Sequence, residues 1–267
     1  MSDSAASKSS SASFSQVAPA STGGGRYVYC ILEGQTAVQL GNIGINSSAV
    51  RTVSDSGVTA VISEIPYKQM DSTIDHVMAH QRVVEEARKL DAVVLPVRFG
   101  VIINGEAGVR KLLQTSAERY KQKMRQLYQK DEFGIKVILN KEDAAKFRSS
   151  VEVESPAVQK LKDEISSSAN KGRAYFLSMK LQDAIKTETL RKLEDVSNTI
   201  HRELASVAEE TAKLKSDVSQ VILNASYLVN RNEIPSFEQK AAELSHRFAG
   251  RGLTIHKSGP WAPYSFC

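Results

Sequence analysis

Apolar residues along this chain fall either in short unbroken runs or in longer stripes spaced by three and four, the signatures of strands and amphipathic helices. Tyr27-Val28-Tyr29-Cys30-Ile31-Leu32 reads as a buried strand ended by Glu33-Gly34. Two β-rich runs at 50–53 and 58–62 flank Ser54-Asp55-Ser56-Gly57, which supplies turn chemistry and a positive φ, so they predict a hairpin. Ser72 and Asp75 form an S-x-x-D capping box before Ile74, Val77, Met78, Val84 and Ala87, placed on one helical face. The apolar run 92–103 is broken by Pro96, which predicts an edge, a bulge or two short strands. Val109, Leu112, Leu113, Tyr120, Met124 and Leu127 then mark a helix.

A second unit opens with a strand over 133–139, followed by a charged, Ser-rich stretch in which Pro156 is a breaker or a helix start. From about 173 to 207 a helical stripe continues through Leu177, Leu181, Ile185, Leu193, Val196, Ile200 and Leu204 without Gly or Pro. At 1.5 Å per residue it reaches about 50 Å, more than a four-stranded sheet covers, so its middle is expected to project, with a break near Thr187–Thr189. A strand over 218–229, a short helix over 237–248 and a last strand over 253–256 complete the order of a ferredoxin-like βαββαβ unit, its second strand drawn from 210–215. The predicted fold is α+β in two domains: a leader over 1–25, an N-terminal domain over 26–131, and a modified ferredoxin-like domain with a helical extension over 132–258.

The leader, with nine Ser and a closing Gly23-Gly24-Gly25, has almost nothing to bury and reads as disordered. The tail over 259–267, Gly-Pro-Trp-Ala-Pro-Tyr-Ser-Phe-Cys, is its opposite. It holds the only Trp and two of seven Pro, so it cannot join a helix or a central strand, and it carries three large anchors. We read it as a latch in the groove between the domains, through Trp261, Pro263, Tyr264 and Phe266, against the alternative of a partner-binding peptide.

Composition is ordinary for a globular chain of 267 residues, 41% hydrophobic and 24% charged. No run reaches the roughly 18 apolar residues of a spanning helix, and the start lacks a signal core. With two cysteines in no disulfide pattern, the expectation is an intracellular protein without membrane contact. The net charge of +5 is concentrated: between Arg110 and Lys130 seven cations face one acid, Glu118. An electrostatic partner should meet this face first.

Candidate chemistry is sparse. His76 and His80 stand at i, i+4, but Val77 occupies the place of the glutamate in H-E-x-x-H, and we read them as the polar flank of their helix. Glu85-Glu86 and Glu209-Glu210 are sequence neighbours that diverge by about 100° on a helix. No G-x-S-x-G, G-x-G-x-x-G or G-K-[ST] occurs. No enzyme, metal or cofactor is expected. RNA binding by the basic helix 109–130 is the alternative functional class, although neither inner strand carries the stacking pattern of an RNA-recognition sheet.

Four stretches taken in order resemble the gas vesicle protein F/L family. They are Leu95-Pro96-Val97-Arg98-Phe99-Gly100 after the helix bearing His80, Gly172-Arg173-Ala174-Tyr175-Phe176-Leu177, Leu223-Asn224-Ala225-Ser226-Tyr227-Leu228-Val229, and the tail from Gly259 to Phe266. The resemblance runs from about Arg26 to Phe266, departing in the serine-rich leader and at Ala262, where a third proline often stands. The motifs do not separate F from L. The resemblance implies a non-enzymatic accessory or minor structural protein of gas vesicles, in the cytoplasm and at the vesicle. Its implied partners are the small hydrophobic shell protein and other accessory gas vesicle proteins. Such a protein is expected to bind the shell protein during nucleation and assembly and to prevent its aggregation. Pro96, Arg98, Arg119, Lys123 and Arg125 are the candidate partner surface.

Overall fold

The computed structural model describes residues 24–35, 37–90 and 93–267. All but the end of the leader expected over 1–25 lies outside them. The first sheet is built around β1 (Gly25–Glu33), with β2 (Gln39–Gly41), β3 (Val50–Asp55), β4 (Val58–Ile65), β5 (Val94–Pro96) and β6 (Ile102–Asn104). Its order is β2-β3-β4-β1-β5, and β6 pairs β1 as well, so the run around Pro96 forms two short strands on one side of β1. The β3–β4 turn is tighter than expected: both strands extend inward, leaving Ser56 and Gly57 at φ 50° and 77°, the primed geometry that suits a two-residue hairpin.

The sheet is covered on both faces. Tyr27, Tyr29, Cys30 and Leu32 of β1 pack toward α1 (Ile74–Arg88), whereas Val28 and Ile31 pack toward α2 (Gly105–Leu127). A register shift between Val28 and Cys30 places two successive residues on the α1 side, as a bulge does. α1 departs from its expected design. Thr73, not Ser72, caps it, its hydroxyl accepting from the His76 N–H at 3.2 Å. The seated stripe is His80, Val83, Val84 and Ala87, while Ile74 (82% exposed), Val77 and Met78 remain exposed. Of the two imidazoles, then, only His76 sits on a polar flank.

The second sheet has the order β10-β7-β9-β8, all antiparallel: β7 (Lys130–Leu139), β8 (Glu210–Lys213), β9 (Val221–Asn230) and β10 (Leu253–Trp261). Between β7 and β8 run α3 (Lys141–Glu154), α4 (Pro156–Ser166) and α5 (Lys171–Ala205); α6 (Ile234–Ala249) joins β9 to β10. Phe133, Ile135 and Val137 of β7 and Leu223, Ala225, Tyr227 and Val229 of β9 meet Val196, Ile200 and Leu204 of α5 and the apolar face of α6. β7 and β10 cross the expected boundaries at 131/132 and 258/259.

The charged stretch after β7 folds into two helices. Pro156 opens α4 at its first turn, where its missing N–H costs nothing, behind the cap Ser155. The expected break in α5 is absent: the helix passes through 187–189, with Thr189 bonded back to the Ile185 carbonyl at 2.7 Å. Only its C-terminal part lies on the sheet. Its first half is covered by α3 and α4, where Leu177 and Ile185 are buried.

Candidate functional site

The two sheets meet where the chain ends. β10 runs on past the expected stop to Trp261, an edge strand that admits Pro260 because no neighbour needs its N–H. The chain then buries Ala262 and Pro263 and closes with a short turn at Tyr264–Phe266. Phe266 enters the cluster formed by α2, β1 and β4, beside Leu228 of β9. Ala262 and Tyr264 join the α1 side. Trp261, read as a latch anchor, remains 36% exposed at the rim.

Polar groups fix this junction. The buried Glu132 carboxylate accepts from the Ser265 N–H at 2.8 Å and from its hydroxyl at 2.7 Å, and that hydroxyl lies 3.1 Å from Ser226 Oγ. Next to it, Asp131 takes Arg88 of α1 at 2.7 Å and Arg231 at 3.3 Å. Arg88 also holds Glu85 at 2.9 Å and donates to the Pro260 carbonyl at 3.4 Å, so one guanidinium ties α1, β7 and the tail. The sequence reading missed this network. Its one visible signal is a pair of acids directly before the apolar run of β7.

His80 lies below the tail. Its Nδ1 is 2.8 Å from Tyr27 Oη, which accepts from the Gly100 N–H, and its ring contacts Tyr27, Tyr29, Phe99 and Tyr264. Burial lowers the imidazole to about 4, the Val97 carbonyl opposing weakly. His76 instead holds the Asp71 carbonyl and Asn46. Among the described residues no group of three or more His, Cys, Asp or Glu is placed to hold a metal ion.

Two hollows flank the tail. The larger, about 520 Å³, lies between Leu95–Arg98 and one face of α2, where it is lined by Arg119, Tyr120 and Lys123, with Tyr264 and Cys267 on its far side. The other, about 440 Å³, is lined by Val77, His80, Phe99, Glu132 and Trp261, and shares Arg98 and Tyr264 with the first. Of the sequence-predicted partner residues, Pro96, Arg98, Arg119 and Lys123 come together here. Arg125 does not, because two residues beyond Lys123 it points to another side of the helix. Burial pushes the Cys267 thiol up to about 12, with Lys123 pulling it down. Cys30 and Cys267 are both free thiols.

Residues 25–267 match the family described as "Gas vesicle synthesis protein GvpL/GvpF". The chain is 24% identical over 248 residues to "Gas vesicle protein F" of Nostoc sp. (strain PCC 7120), covering 91% of this chain and 97% of that protein. It is 25% identical over 263 residues to "Gas vesicle protein L" of Streptomyces sp. (strain CB03234), covering 90% and 92%. The crystal structure of the gas vesicle protein GvpF from Anabaena sp. PCC7120 superposes with a TM-score of 0.76 at 21% identity, over 91% of this chain and 98% of that one. That of GvpF from Microcystis aeruginosa gives 0.69 at 21% identity, over the same shares. The fold is therefore common to these proteins. Among the described residues no helix is long and apolar enough to cross a membrane.

Proposed function

The chain belongs to the GvpL/GvpF family of gas vesicle proteins, and from that premise we propose that it is a non-enzymatic accessory of gas vesicle assembly that binds the hydrophobic shell protein in the cytoplasm. A protein that coats a gas space must expose apolar surface before it assembles, and such surface aggregates unless covered. The observation that carries the reading is the pair of adjoining apolar hollows beside the tail, the smaller lined by exposed Trp261 and Val77. Segments of a partner protein dock by placing apolar side chains into grooves and pockets of this kind.

In this reading residues 130–261 form the ferredoxin-like unit, supported by the order β10-β7-β9-β8 with helices after its first and third strands. α3, α4 and the first half of α5 are its helical extension. The tail acts as a latch between the units, supported by the burial of Phe266 and the Ser265–Glu132 bonds. RNA binding has no support beyond the cations of α2: the apolar face of that helix is committed to the sheet, and two of its cations, Arg110 and Lys121, are paired with Glu106 and Glu118.

Co-expression with the shell protein, followed by capture of this chain at low and high salt, tests the proposal. The shell protein should co-purify and stay dispersed. Failure to co-purify in both conditions, with the captured chain folded, would sink it.

A further inference from the structure

The larger hollow is lined by side-chain charge of one sign. Arg98, Arg119 and Lys123 line it, and no acidic residue does. Among the described residues none of the three enters an ion pair. Elsewhere on α2, Arg110 meets Glu106 at 2.8 Å and Lys121 meets Glu118 at 3.1 Å, while Lys111 and Arg125, away from the hollow, are also outside the ion pairs of the described residues. Three cations brought around one cleft by separate segments repel one another, and the cleft's lining holds no side-chain carboxylate to offset that; Arg119 has only the Tyr120 ring, 5.5 Å away.

From this we propose that the two joined hollows bind an extended apolar segment of a protein partner that bears carboxylates, with its acidic side chains on Arg98, Arg119 and Lys123. The inference rests on the reading of the chain as a binder of a hydrophobic protein, and adds which surface does the binding and what the partner must carry. Arg98 and Tyr264 line both hollows, one against α2 and the other against α1, so a segment laid along the trough they make passes over these two side chains. Apolar side chains fill it on either side of Arg98. Glu132 is the one acid in the smaller hollow; its carboxylate accepts from Ser265 and keeps its charge, so Arg98, Arg119 and Lys123 outnumber it and the two hollows together stay positive. Pro96 has no N–H to offer an added strand, so affinity comes from side chains in hollows and from charge, not from an extended ladder. An apolar lining of this extent suits a peptide better than a phosphate chain, which would need the cations without the hollows.

The test uses the intact chain and three labelled peptides of about twelve residues, long enough to cross both hollows at roughly 3.3 Å per residue. They share one Leu/Val sequence and carry two Glu, two Gln or two Lys. Fluorescence anisotropy should show the Glu peptide binding about tenfold tighter than the Gln peptide, the Lys peptide weakest, and the spread shrinking in about 0.5 M salt. The triple variant Arg98→Glu/Arg119→Glu/Lys123→Glu should invert the order while melting as the wild type does. Arg125→Glu, off the trough, should leave it unchanged.

Equal affinity for all three peptides, an order that survives the triple reversal, or displacement of the Glu peptide by single-stranded RNA would each overturn the inference. Shell protein provides a separate arm. Capture by wild type and triple variant alike overturns the trough and leaves the proposed function standing. Loss of capture by wild type, with peptide discrimination intact, removes the proposed function and keeps the trough.

Discussion

The junction around the tail and the far end of α5 treat their large side chains in opposite ways. At the junction Phe266, Ala262 and His80 are buried, and Glu132 and Asp131 are buried with their partners in place. At the start of α5, Tyr175 (71% exposed), Phe176 and Met179 face solvent within two turns of one another. Both regions are rich in aromatic residues, so composition does not separate them. What separates them is how many elements converge: α1, α2, β7, β9 and the tail meet at the junction, whereas only α3 and α4 cover the first half of α5. Stability should therefore be concentrated at the junction and local at the extension.

The strongest way to break that contrast lies within the tail. Phe266→Ala should cost about 3–5 kcal/mol, a buried aromatic lost from a packed cluster, and lower the melting temperature by roughly 6–20 °C. Trp261→Ala should cost less than about 1 kcal/mol, since the ring stays at the rim. Equal effects would mean that the tail acts as a unit and that burial does not rank its anchors.

His80 offers a pH-resolved version. An unfolded imidazole titrates near 6.5 and the folded one at about 4, so between these values the unfolded chain holds the extra proton. The stabilisation from burying neutral His80 is complete above about 6.5, falls as pH falls, and is gone near 4, an amount of roughly 3 kcal/mol. Denaturant melts at intervals from pH 7 to 5 should show this slope in the wild type and lose most of it in His80→Gln. An unchanged slope would place the titrating group elsewhere. Asp131→Ala comes next, at about 2 kcal/mol, because it strands Arg88, which still keeps Glu85 as a partner.

Much of the first sheet was readable from pattern alone. The unbroken run at Tyr27, the turn at Gly57 and the interruption at Pro96 each name a backbone geometry that few residues satisfy, and each element is where its signal stands. α1 was read only in part: Val84 and Ala87 are seated as expected, but Ile74, Val77 and Met78 are apolar yet exposed, and His80 is polar yet seated. A stripe records which residues share a face, not how far the opposing surface extends. α3 carried no signal and α4 only the start offered by Pro156, for a related reason: Phe147, Val151 and Val158 are their only buried apolar residues, and those pack on a helix far along the chain. For the site, Pro96, Arg98, Arg119 and Lys123 could be nominated from local chemistry. That they share one trough with Tyr264 and Cys267 depends on a fold that returns the tail to α2.

The smallest expected effect sharpens the contrast from the other side. Leu177 is buried in the extension and makes no contribution to the core beneath the second sheet. A buried Leu→Ala change costs about 2–5 kcal/mol where the whole domain must absorb it. If α3, α4 and the first half of α5 open as a unit of their own, Leu177→Ala draws on that local stability instead. Hydrogen exchange should then quicken over residues 141–190 and stay unchanged over β7, β9 and the C-terminal turns of α5. The main melt should move by less than about 1 °C. A shift of several degrees in that melt, with exchange quickened across both sheets, would show that the long helix transmits its load into the junction, and the two regions would have to be treated as one cooperative body.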